Sequence, residues 1–155
     1  MHSRLVGQIA ETLVAAQKDV AAEARDIALA GYLHDIGRSP LVMGDAREHN
    51  ELSALILAAE GLAGSVEPAR RHAIYTVLDP ATAPATLADK IVYVADRRGG
   101  MRVETVEVRA RDTALRHPRY ASDIERAIPA AKALEREVFE GAPFAAHELE
   151  AHLIA

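Results

Sequence analysis

The stretch Ala30-Gly31-Tyr32-Leu33-His34-Asp35-Ile36-Gly37-Arg38 decides how this chain is read. Upstream of it, Ile27, Ala28, Gly31 and Tyr32 form one apolar stripe, which predicts a helix over 23–35. Gly37 and Pro40 then break that helix. An imidazole and a carboxylate therefore stand side by side at the end of an apolar helix. Neighbouring helical residues point about 100° apart, so His34 and Asp35 cannot fill one point, yet both can reach a cation in a cleft at the helix end. A histidine at a helix C-terminus also complements the helix dipole without any metal. The dipeptide alone leaves both readings open.

Working outward, the pattern is helical throughout. Leu5, Val6, Ile9, Leu13 and Val14 share a stripe over 3–17. Further helices are expected at 50–60, about 67–77, and 86–97, with 38–48 as a loop and 81–85 as a turn. Met101–Val108 alternates apolar and polar residues. A short strand would fit, but an extended entry into a helix near 104–116 fits better. A long helix after Pro118 carries Ile124, Ile128, Ala131, Leu134 and Val138, with a kink or break expected at Pro129. A short terminal helix is expected within 142–153. The expectation is one all-α domain over 1–155, a compact helical bundle with its site in a cleft between helices.

Composition narrows the function. Half the residues are apolar, so the chain can bury a core, while alanine abundance and 4% aromatics favour helices. The formal net charge of −5 disfavours a general nucleic-acid partner. With no cysteine, thiolate catalysis and cysteine-ligated zinc are excluded. Any metal must be held by imidazole and carboxylate, a donor set that suits Fe, Mn, Co, Zn or Ni. No apolar run reaches membrane-spanning length and no signal-peptide pattern opens the chain, so a cytoplasmic protein with no membrane partner is expected.

Two more residues extend the His-Asp pair. His2 starts the first helix. Asp96 follows Val94-Ala95 on an otherwise apolar helix, where a buried carboxylate is costly unless it faces a cation; pairing with Arg97 or hydration at the helix end would also relieve it. The pattern His2 … His34-Asp35 … Asp96, with Ile36-Gly37 completing the His-Asp-Ile-Gly segment, resembles the HD superfamily of metal-dependent phosphohydrolases. The resemblance covers residues 2–96. It implies metal ligation by His2, His34, Asp35 and Asp96. His49, in His49-Asn50-Glu51-Leu52-Ser53-Ala54, and His72, after Arg70-Arg71, are similar to the further ligands of two-metal members and imply a second ion. The Gly-Tyr-Pro motif of one cyclic-dinucleotide subgroup is absent. Segments after residue 97 resemble small single-domain HD proteins. His117, His147 and His152 lie outside the pattern and read as surface residues.

The implied chemistry is hydrolysis of a nucleotide or related small phosphoester by cation-activated water, with one or two divalent ions. Asp35 and Arg38 are the candidate catalytic residues. Phosphate needs cationic partners, and Arg38, Arg97, Arg98 and Arg102 are the candidates to bind it. A homodimer is compatible with this reading. Two other classes stay open: a di-iron oxygenase, which the same six ligands permit, and a non-catalytic sensor that binds a ligand in the same pocket.

Overall fold

In the computed structural model, which describes residues 1–154, helix α1 (His2–Ala15) crosses helix α2 (Ala24–Leu33) where the side chains are smallest. A Cβ placed on Gly31 would lie 2.8 Å from the Ala10 Cβ and 3.2 Å from the Gly7 Cα, so the two backbones are nearly in contact. The Tyr32 ring covers Gly7, and its hydroxyl donates to Glu11 at 2.9 Å. A 3₁₀ turn at Lys18–Glu23 reverses the chain between them, which brings the start of α1 beside the end of α2.

Helices α3 (His49–Ala59), α4 (Ala63–Arg70), α5 (Leu87–Arg98), α6 (Val106–Arg116) and α7 (Ala121–Glu140) complete the bundle. A capping box opens α5: the Thr86 hydroxyl accepts from the Asp89 N–H, and Asp89 accepts from the Thr86 N–H. The core gathers Val6, Ile9 and Leu13 of α1, Ile27 of α2, Ile91, Val92 and Val94 of α5, Val138 of α7 and Leu149 of the terminal turn. The C-terminal segment thus packs into the same core as the first helices. Among the described residues there is no strand, and no helix is long and apolar enough to cross a membrane. The all-α expectation holds.

Three local expectations are corrected. The fourth helix spans 63–70 rather than 67–77, and a 3₁₀ turn over Ile74–Leu78 follows it. Gly64 lets that helix press on α2, where a Cβ would meet the Asp26 carboxylate at 2.1 Å. Met101–Val108 follows its preferred reading, an extended entry into a helix: one isolated bridge, Gly99 to Val103, precedes Thr105, which caps α6. Pro129 does not end α7: Glu125, whose carbonyl loses its donor, is exposed and water can serve it. The terminal segment forms a 3₁₀ turn at Ala146–His152.

Candidate metal centre and cleft

Five segments converge on one point, each for a traceable local reason. The α1–α2 pair brings His2, the first residue of α1, against His34, the residue that closes α2, with their Nε2 atoms 3.2 Å apart. Asp96, in the last turn of α5, packs from below. Asp35 starts the 3₁₀ turn Ile36–Arg38, and that turn is seated on α3 through Gly37. The Gly37 N–H donates to the Ser53 hydroxyl at 2.9 Å, and the same hydroxyl donates to the His49 carbonyl at 2.9 Å. His72 was expected on a helix; it lies just past the end of α4, where the chain turns and buries the ring.

The donors form two sets that share Asp35. Its Oδ2 lies 3.5 Å from His34 Nε2 and 3.8 Å from His2 Nε2. Its Oδ1 lies 3.5 Å from His72 Nε2 and 3.6 Å from His49 Nε2. Asp96 Oδ1 completes the first set at 3.2 Å from His2 and 3.7 Å from His34. His49 and His72 face each other at 3.2 Å. Ligand bonds of about 2.1 Å put neighbouring donors roughly 3.0–3.4 Å apart, so a divalent cation in either set would draw most of these donors inward by a few tenths of an ångström.

Two features of the donors support that fit. Carbonyls only accept, so His34 Nδ1 must donate to Gly31 O (2.8 Å) and His72 Nδ1 to Ala69 O (2.6 Å). Both Nε2 atoms then present lone pairs to the centre, as ligating histidines do. Asp96 Oδ1 is buried and accepts no hydrogen bond, while its other oxygen takes the Arg97 guanidinium. A buried carboxylate oxygen of that kind wants a cation.

Electrostatics differ between the sets. Burial alone would push the His34 imidazole down, but Asp96 and Asp35 beside it outweigh burial and raise its pKa. For His72 burial wins and the pKa falls. Burial, helped by His72 and Arg38, lowers His49 to about 3. Burial opposes ionisation of both carboxyls, yet His34 and His72 beside Asp35, and Arg97 and His34 beside Asp96, hold them well below the usual carboxylate range.

The centre opens into a cleft of about 650 Å³. Four carboxylates (Asp35, Glu48, Asp96, Asp112) and four guanidiniums (Arg38, Arg97, Arg109, Arg116) line it. Arg38 lies on Asp35 Oδ1 at 3.0 Å and on His49 Nε2 at 3.2 Å. Arg97 lines the cleft but is committed to Asp96.

Arg98 and Arg102 do not line it, which corrects their expected place at the substrate. Arg98 points the other way and is buried, donating to Glu135 at 2.6 Å and to the Ala146 carbonyl at 3.0 Å. Arg102 is exposed outside the cleft. His117, expected on the open surface, sits on the cleft wall, where burial and then Arg38 lower its pKa. The sequence reading also missed Arg109, Arg116 and the rim, where Tyr75 and Tyr120 stack at 5.6 Å and both hydroxyls donate to Glu48. One signal for Arg109 was available: it sits beside Ala110 and three residues after Val106, both fully buried, on the apolar stripe of α6.

Comparison with protein families matches residues 1–101 to the HD domain. No curated protein and no solved structure matches the chain. The matched region covers His2, His34, Asp35, His49, His72 and Asp96, all the donors that converge here, and about two thirds of the residues. The chain belongs to the HD domain family.

Proposed function

We propose that this chain is a metal-dependent phosphohydrolase for a nucleotide or related small phosphoester. HD proteins form a superfamily of metal-dependent phosphohydrolases, and one observation carries the reading to this chain. Asp35 divides its two oxygens between two imidazole pairs, His2–His34 and His49–His72. His2, His34, Asp35 and Asp96 would hold one divalent ion, and Asp35, His49 and His72 a second. When bound, such ions polarise a phosphoryl oxygen and lower the pKa of water towards neutrality.

The protein's own groups supply the rest. Asp35 sits between the two sets, where it can orient water as well as bind. His34 and His72, held through Nδ1 by backbone carbonyls, keep their Nε2 lone pairs aimed at the centre. Arg38, half exposed, would leave Asp35 and His49 to meet an anionic oxygen of the substrate. The cleft has room for a small molecule of nucleotide size.

Elemental analysis of protein purified without chelator, followed by a phosphate-release screen across nucleotides, tests this. Two ions per chain and phosphate release are expected. One ion per chain removes the role given to His49 and His72. No ion, and no turnover after adding manganese, iron or cobalt, sinks the enzyme reading. Bound iron with oxygen uptake and no phosphate release would favour an oxygenase instead.

A further inference from the structure

The family match ends at residue 101, yet the cleft does not. Its far wall is α6, and α6 places one buried cation beside the centre. Arg109 is 8% exposed, on the face of α6 that buries Val106 and Ala110. Its Nε donates to the Asp96 carbonyl at 3.4 Å. Its two terminal nitrogens make no hydrogen bond among the described residues: Nη2 stands 3.7 Å from Asp96 Oδ1, and Nη1 3.5 Å from Asp112 Oδ2. Both separations exceed a normal hydrogen bond.

Arg97 adds to the imbalance. It is 4% exposed, lines the same cleft, and leaves Nε and Nη1 buried without an acceptor. Buried guanidinium N–H groups without acceptors are costly. The local demand is for acceptor oxygens with negative charge.

Position says which oxygens. Asp96 Oδ1, the oxygen that Arg109 Nη2 approaches, is also the one that faces His2 and His34. Arg38 stands at the other donor set, on Asp35 Oδ1 and His49. One guanidinium therefore flanks each set. A tetrahedral oxyanion held over the centre would meet Arg38 from one side and Arg109 from the other, and a phosphoryl group has oxygens for both.

We propose that Arg109 is a phosphate-binding residue that grips the reacting phosphoryl group from the α6 wall of the cleft. The proposal rests on the metal-centre reading above. The competing role is purely local: Arg109 would only hold Asp96 in place.

The test uses the full chain loaded with manganese, with Arg109→Gln and Arg109→Lys. Ion content is measured by elemental analysis, and affinity for inorganic phosphate by calorimetry. Both variants are expected to keep the wild-type ion content. Arg109→Gln should weaken phosphate binding about 30-fold, as loss of a charge-assisted contact does, and Arg109→Lys, which keeps the charge, by only about threefold. If Arg109→Gln does not fold, Arg109→Lys decides alone, since any weakening must come with unchanged ion content. Unchanged phosphate affinity, or ion content that falls in step with it, overturns the proposal. A wild type that binds ions but no phosphate also overturns it, while a wild type that takes up no ion overturns the metal-centre reading as well.

Discussion

Gly37 touches the first turn of α3 so closely that a Cβ on it would lie 2.1 Å from the carbonyl oxygen of His49. The contact is backbone on backbone, so no side-chain rotation can relieve it. It fixes the distance between the turn that carries Asp35 and the helix that starts with His49. Gly37→Ala is expected to destabilise the fold by about 2 kcal/mol and to empty the second donor set before the first. Thermal melts with ion counting check this; an alanine variant with wild-type ion content would refute the spacing argument.

Asp35 belongs to both sets, whereas His49 belongs to one. Asp35→Ala should strip both ions and lower turnover by at least about a thousandfold, on the order of losing a group that acts only with its partners. His49→Ala should leave one ion per chain. Elemental analysis of the two variants side by side separates a shared ligand from two independent sites.

His34 gives a pH dependence with a definite sign. Its pKa is raised in the folded protein by Asp96 and Asp35 against burial. In the metal-free protein the protonated imidazole therefore contributes stability that is fully present below the ordinary histidine pKa and is lost as pH rises through the raised value. A cation must displace that proton. Metal affinity should rise with pH there, about tenfold per unit for one displaced proton. Calorimetry in buffers of different ionisation enthalpy will report the proton released; affinity that is flat between about pH 6 and 8 would contradict it.

Arg98 should behave unlike its neighbour Arg97. Removing it leaves Glu135 without its partner inside the α5–α7 contact. Arg98→Ala is expected to cost about 3 kcal/mol, as breaking a buried pair does, with little change in KM. A variant of wild-type melting temperature and raised KM would return Arg98 to the substrate side.

The contrast between Arg97 and Arg98 also shows what was legible beforehand. The apolar stripes of α1, α2 and α5 are strong in the sequence, and those helices lie within a few residues of their expected bounds. His2, His34, Asp35 and Asp96 stand out because their types are unusual at the ends of apolar helices. Two adjacent arginines are indistinguishable in a string of letters, yet the turn of a helix sends one to the cleft and the other to Glu135. The packing role of Gly64 is hidden because its partner, Asp26, is distant in sequence. Arg109 carries no motif; its place on the stripe of Val106 and Ala110 signals burial, but its partner is set by α6 folding back over Asp96.

The balanced rim of the cleft has a kinetic consequence. Four guanidiniums against four carboxylates produce little net field at the mouth. Each divalent ion taken up by the floor adds two uncompensated positive charges to a confined, low-dielectric space. An approaching anion is then drawn in only when the floor is loaded. Ion occupancy would therefore set the rate of encounter as well as the chemistry: salt should slow substrate capture by the loaded protein and leave the bare protein nearly indifferent to ionic strength.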